Sequence, residues 1–188
     1  MEIQQHLSDI DDLWRVVCEA DDDKRYELIE GEIIEMSPVG EEHGFLAGKI
    51  FHYFLLNDPL QREDIPSVET GFYTLADRST LLSPDVAFRC ISTATASPQK
   101  RWVSKMPDIA VEIKSPNDSL PQLRRKVDIY LRHGTQLVWI VLPDTESVEV
   151  HRLGADGEKQ REVIGSEGQL SGEEVLPGFT LPLTKLFA

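Results

Sequence analysis

Cysteine is nearly absent. Cys18 and Cys90 stand 72 positions apart in a chain of 188 residues, with no CxxC pair, which excludes a zinc ribbon and a disulfide framework. Long apolar runs are missing too: none approaches the ~18 residues needed to cross a bilayer. The start, Met1 to Asp9, lacks the positive residues and apolar stretch of a signal peptide. A cytoplasmic protein that does not enter a membrane is therefore expected. There is no internal repeat, low-complexity tract or obvious linker. Positive charge is also scarce, with 19 Lys and Arg against 33 Asp and Glu for a net −14. A chain this acidic repels a polyanion at long range, which argues against tight, non-specific duplex binding.

What is present is ordinary for a soluble globular chain: 40% hydrophobic and 28% charged residues. The length predicts one domain over 1–188, with an N-terminal helical extension (1–25), a core over about 26–153, and a C-terminal hairpin and docking tail (154–188). Residues 7–20 carry Leu7, Ile10, Leu13, Trp14 and Val17 at amphipathic helical spacing and run into Asp21, Asp22 and Asp23. Residues 26–36 read as two short strands turning at Glu30-Gly31. Residues 41–56 read as a helix whose stripe includes His43, Leu46, Ala47, Ile50 and Phe54. Strands are expected at 67–69, 71–75, 85–89 and 109–114. A helix over 117–133, closed by Gly134, leads to a buried strand at 136–142. Residues 147–153 and 158–164 straddle Gly154 and Gly157 as a hairpin. The helix between two apolar strands predicts a right-handed crossover joining parallel neighbours. The fold class is therefore α/β, with a mixed central sheet flanked by helices.

Three features carry chemistry. Ser83-Pro84-Asp85 sets Asp85 where a strand begins. In Ile109–Lys114, Glu112 and Lys114 point to one face and Val111 and Ile113 to the other. Charged residues on so apolar a strand are costly unless that face lines a wet or ion-filled cleft. Asp85, Glu112 and the Ile113 carbonyl can supply oxygen ligands to magnesium or manganese. Lys114 can then orient or activate the attacking water, in a phosphodiester hydrolysis that the metal assists. The third feature is the 117–133 helix, where Arg124, Lys126 and Tyr130 are candidates for nucleic-acid contact beside Arg125. Residues 98–133 hold eight basic residues against four acidic, net +4, in an otherwise acidic chain. Charge alone fits a solvated helix face equally.

Several motifs, in order, resemble the Uma-two family of restriction-endonuclease-like proteins, a branch of the PD-(D/E)XK nuclease superfamily. They run from Tyr26-Glu27 through Glu30-Gly31, Met36-Ser37-Pro38, His43-Gly44, Pro84-Asp85-Val86-Ala87-Phe88 and Val111-Glu112-Ile113-Lys114-Ser115-Pro116. Lys126, Tyr130, Gly134, Val138-Trp139-Ile140-Val141 and Leu176-Pro177-Gly178-Phe179 complete the set. The resemblance implies a restriction-endonuclease-like core with Asp85 and Glu112 as metal ligands and Lys114 as the catalytic lysine. Family members often carry a non-basic residue at that last position, so Lys114 restores the fuller nuclease pattern.

The expected activity is a magnesium- or manganese-dependent endonuclease acting on DNA, with a homodimer completing the groove. The alternative is a module on the same fold that binds nucleic acid or protein without cleaving; in a third, purely structural reading Glu112 and Lys114 form an internal salt bridge. His43 is either a hydrogen-bonded core histidine or a catalytic residue that the helix brings to the cleft, with Glu42 beside it. Glu27 and Glu30 match the family pattern but also suit a turn. Trp102 either stacks on a base or anchors its loop.

Overall fold

A computed structural model describes residues 8–20, 24–56, 65–90 and 101–188. Leu7 of the expected first helix, and Asp21–Asp23 and Lys100 of the charge pattern, lie outside the described residues. Helix α1 (Ile10–Glu19) starts at Asp9, whose carboxylate accepts from the backbone N–H groups of Asp11 and Asp12. Such a cap satisfies amides that the first helical turn cannot pair. Strands β1 (Arg25–Ile29) and β2 (Glu32–Met36) form the expected hairpin. Its two loop residues, Glu30 and Gly31, both adopt positive φ (51° and 87°), the geometry that matches the twist of paired strands. Helix α2 (Glu41–Leu56) has the expected limits.

The next strands are β3 (Ile65–Val68), β4 (Phe72–Thr74), β5 (Asp77–Leu82), β6 (Val86–Arg89) and β7 (Ile109–Ile113). Helix α3 (Leu120–Arg132) leads to β8 (Leu137–Leu142), β9 (Ser147–Leu153) and β10 (Lys159–Ile164). The chain closes through β11 (Gln169–Ser171), β12 (Thr180–Pro182) and α4 (Leu183–Leu186).

Six strands make the central mixed sheet, in the order β10-β9-β8-β7-β6-β3. Its one parallel pair is β7–β8, joined through α3 as the crossover required. On one face α2 and the C-terminal tail cover a core in which Trp139, Phe54 and Phe179 pack against one another, with centroids 5.1, 5.7 and 5.8 Å apart. On the other face α3 lays Leu123, Val127 and Leu131 over Ala110, Val138 and Ile140. Both faces are therefore covered, which explains why β7 and β8 read as nearly continuous apolar runs.

Several element limits shift by one to three residues from the sequence reading, and two differences are larger in consequence. Helix α3 begins three residues later than expected, capped by Ser119. The Asp118 carboxylate accepts instead from the Ser115 N–H at 2.8 Å and closes a turn ahead of the helix. In addition, β5 pairs β1 and β4 in a second, antiparallel sheet of order β2-β1-β5-β4. Leu81 of β5 packs under α1 while Leu82 joins the core beneath α3. Its first half, Asp77 to Ser79, is polar and its second half, Thr80 to Leu82, is buried without a break, so the strand shows no alternation to read.

Candidate active site

Asp85 sits one residue ahead of β6, whose pairing with β7 ends at Val86–Val111. Its carboxylate continues the ladder: the Ile113 N–H donates to Asp85 Oδ2 at 2.7 Å. His43, on the sheet-facing side of α2, places Nε2 3.0 Å from the same oxygen. Burial disfavours the imidazolium, but Asp85 outweighs it, with help from Asp118 and the Ile113 carbonyl, and holds His43 above its ordinary pKa. The histidine is buried, as a stripe position requires, and it meets an acidic residue of the candidate set. Glu42 beside it is exposed.

Glu112 lies one strand over, 4% exposed, facing α3. Tyr130 Oη donates to its Oε1 at 2.7 Å, and Lys126 Nζ donates to both carboxylate oxygens at 3.0 and 3.3 Å. Lys126 also bonds Glu27 of β1 at 2.9 Å. Glu27 in turn accepts from the Ser83 N–H at 2.8 Å, which ties β1 to the turn that presents Asp85. One ammonium thus serves two buried carboxylates, with a third nearby. The Glu112 carboxyl is raised to about 7: burial is the largest cause and Asp85 and Glu27 add to it, against the pull of Lys126 and of the Tyr130 hydrogen bond. Burial alone would discharge Lys126, but Glu112 and Glu27 outweigh it and hold the ammonium above its ordinary pKa.

The other candidates fall elsewhere. Lys114 follows the end of β7, and its Nζ reaches Asp144 Oδ2 at 3.3 Å and the Ser115 carbonyl at 3.4 Å, not Glu112. The strand ends at Ile113, so the alternation that aimed Lys114 beside Glu112 no longer holds at residue 114. Tyr130 is fully buried, so its hydroxyl is committed to Glu112 and cannot face nucleic acid. Arg124 crosses to Glu149, and Arg125 and Arg132 both grip Glu30 in the β1–β2 turn. The expected basic face is therefore largely the cationic half of an internal ion-pair network. Sequence reading undervalued Glu27 and Lys126. The available signal was the i,i+4 spacing of Lys126 and Tyr130, which points both at one target.

Asp85, Glu112, Glu27, His43 and Lys126 all border one cavity of about 730 Å³ between the hairpin, α1, α3 and the strand ends. Among the described residues no three His, Cys, Asp or Glu side chains are gathered as a complete metal cage. Two carboxylates and a carbonyl nevertheless suit magnesium, which binds through one or two carboxylates and keeps several waters. Burial and, after it, the neighbouring carboxylates Asp85 and Glu27 raise Glu112, and a cation would relieve both. The donor chemistry fits.

No helix among the described residues is long and apolar enough to cross a membrane. The chain is similar in fold to a crystal structure titled a "putative nuclease belonging to DUF820" from Anabaena variabilis. The two share 20% identity at a TM-score of 0.79, over 96% of this chain and 97% of that one. Comparison with curated proteins gives no match. Residues 11–184 match the Uma2 family, described as "Putative restriction endonuclease". With nearly the whole chain matched, over a restriction-endonuclease-like core that carries its acidic residues at the strand ends, the protein belongs to the Uma2 family.

Proposed function

We propose that the chain is a metal-dependent nuclease that hydrolyses phosphodiester bonds of DNA in this cavity. The observation that carries the reading is the excess of buried carboxylates over cations around Glu112, facing a cavity wide enough for a phosphate. Asp85, Glu112 and the Ile113 carbonyl would hold magnesium or manganese. When bound, the ion would polarise the phosphoryl oxygen and lower the pKa of a coordinated water.

The side chains supply the rest. His43 and the Ile113 N–H fix the Asp85 carboxylate from two directions. Tyr130 fixes Glu112 from within the core. Of the two lysines, Lys126 is the one supported as a participant, because its ammonium lies within the acidic cluster. Held above its ordinary pKa, it is a poor general base at neutral pH. Its role is electrostatic: it stabilises charge that builds on the phosphate as the bond breaks. Lys114, paired with a largely exposed Asp144, is not among the residues that line the cavity, and in this reading it is a second cation met by the approaching strand.

A homodimer belongs to the same reading, supported by the exposed Phe45 and Leu56 on α2; light scattering on the purified protein tests it. Cleavage of plasmid and oligonucleotide DNA with magnesium, manganese or chelator tests the activity. Metal-dependent cleavage that is lost in Asp85→Asn and Glu112→Gln is expected. Cleavage that persists in both variants, or in chelator, contradicts the assignment, and absence of cleavage by the wild type would favour the non-cleaving module.

A further inference from the structure

The acidic groups do not lie on an open surface. The Asp85, Glu112 and Lys126 side chains are only 16%, 5% and 11% exposed, so a scissile phosphate has to enter the cavity to meet them. Its volume of about 730 Å³ lies in the range of ~300–1,000 Å³ that encloses one small ligand. That admits a nucleotide and its neighbouring phosphates, not a run of stacked base pairs.

One wall is aromatic and built in place. The loop carrying Trp102 is pinned to the start of β4: Val103 N–H donates to the Gly71 carbonyl and Tyr73 N–H to the Val103 carbonyl, each at 2.9 Å. The indole lies directly over Gly71, where a Cβ would come within 2.5 Å of Trp102 Cδ1. Trp14 of α1 meets Trp102 edge to face, with centroids 5.3 Å apart and planes at 88°. The Arg101 guanidinium lies 4.1 Å from the Trp14 ring centroid. Both indoles are half-buried and border the same cavity as Glu112.

Charge does little to hold a polyanion here. Lys24 pairs with Glu35, Arg25 with Glu69, Arg125 with Glu30, and Lys126 with Glu27 and Glu112. Arg101 alone among these lining cations has no carboxylate partner among the described residues, and it is the one stacked on an indole. What remains to attract a ligand is the ring surface of the tryptophan pair that Arg101 and Gly71 leave uncovered, and an unpaired base can stack there where a base pair within a duplex cannot.

We propose that the site takes a single strand of nucleic acid, seating an unpaired base on the Trp14–Trp102 wall so that its phosphate reaches the acidic cluster. This inference rests on the nuclease reading for its chemistry but not for its binding. The test is tryptophan emission of the full chain in chelator, titrated with a mixed-sequence 12-mer oligodeoxynucleotide, alone or annealed to its complement. Trp139 is fully buried and serves as a constant background. The single strand is expected to perturb the emission and bind at least about tenfold tighter than the duplex. Trp102→Ala should weaken single-strand binding by roughly 5- to 150-fold, the span measured for loss of one stacking ring. Trp102→Phe should restore most of it, while Gly71→Ala, which displaces the indole without deleting it, should weaken it in the same direction. Equal affinity for strand and duplex, unmoved by Trp102→Ala, overturns the inference. If duplex is then cut with manganese as fast as single strand, the nuclease reading stands without it. If the single strand binds through Trp102 but neither form is ever cut, the stacking site stands and the nuclease reading falls.

Discussion

Glu112 and Glu149 sit in one row of the central sheet, on either side of Ile140, which is in register with both. Both are buried, at 4% and 3% exposure, and each receives a cation from α3. Their surroundings differ in sign. Glu149 is met by Arg124 at 2.5 Å, His151 at 3.0 Å and Arg161 at 3.4 Å. The Arg124 hydrogen bond outweighs burial and holds its carboxyl below the ordinary range. Glu112 is pushed up to about 7, first by burial and then by Asp85 and Glu27, against the pull of the Lys126 it shares with Glu27. A buried carboxylate is therefore not by itself a sign of chemistry. An acid whose neighbours outnumber their cations is, because a divalent ion or a proton would relieve it.

The largest way to sharpen this contrast is Lys126→Met, which leaves Glu27 and Glu112 buried without their ammonium. Removing one partner of a buried pair costs about 3–5 kcal/mol, to be read from urea unfolding in chelator, and manganese should recover part of the loss. A loss of the same size in Arg124→Ala would break the contrast, since Arg124 is 38% exposed and its pair is partly screened.

The pH dependence of stability comes next. Between its ordinary value of 4.5 and about 7, Glu112 binds more proton in the folded state than in the unfolded state. Its contribution is therefore full below 4.5 and is lost as pH rises to about 7, with a slope of at most about 1.4 kcal/mol per unit. Glu149 has the opposite sign: its contribution is present above its ordinary 4.5 and is lost as pH falls through its lowered folded value. Chemical unfolding of metal-free protein from pH 4.5 to 7.5 should show the first slope; Glu112→Gln should remove it below pH 6.5 and leave only the loss that His43, also held above its ordinary value, adds at the upper end, while Glu149→Gln leaves the slope in place.

Glu149→Gln itself is expected to lower stability by about 1–3 kcal/mol, the cost of a buried hydrogen-bonding group deprived of its charged partner. At the small end, Arg125→Ala removes an exposed pair with Glu30, and about 0–1 kcal/mol is expected.

Much of this was legible in the sequence. The β1–β2 turn at Glu30-Gly31, the limits of α2, the parallel β7–β8 pair and the β9–β10 hairpin all followed from local rules of spacing and turn chemistry. Asp85 and Glu112 were legible because charge at a strand end or in an apolar strand needs a reason. The ion pairs were not. Whether Lys126 or Lys114 reaches Glu112 depends on where β7 stops and how α3 lies across the sheet, and both are tertiary facts. The basic run of α3 misled for the same reason, since its partners Glu27, Glu30 and Glu149 are distant in sequence and gather only in the fold. β5 was hidden because its polar first half and its continuously buried second half leave no alternation.

The central claim, that the Glu112 cluster is a divalent cation site and the Glu149 cluster is not, is tested most directly by thermal unfolding with and without manganese in wild type, Glu112→Gln and Glu149→Gln. Ligand linkage predicts about 2.7 kcal/mol of stabilisation at a hundredfold excess over the dissociation constant. That shift should appear in the wild type and undiminished in Glu149→Gln, and be absent from Glu112→Gln. An equal shift in Glu112→Gln and wild type would contradict the account.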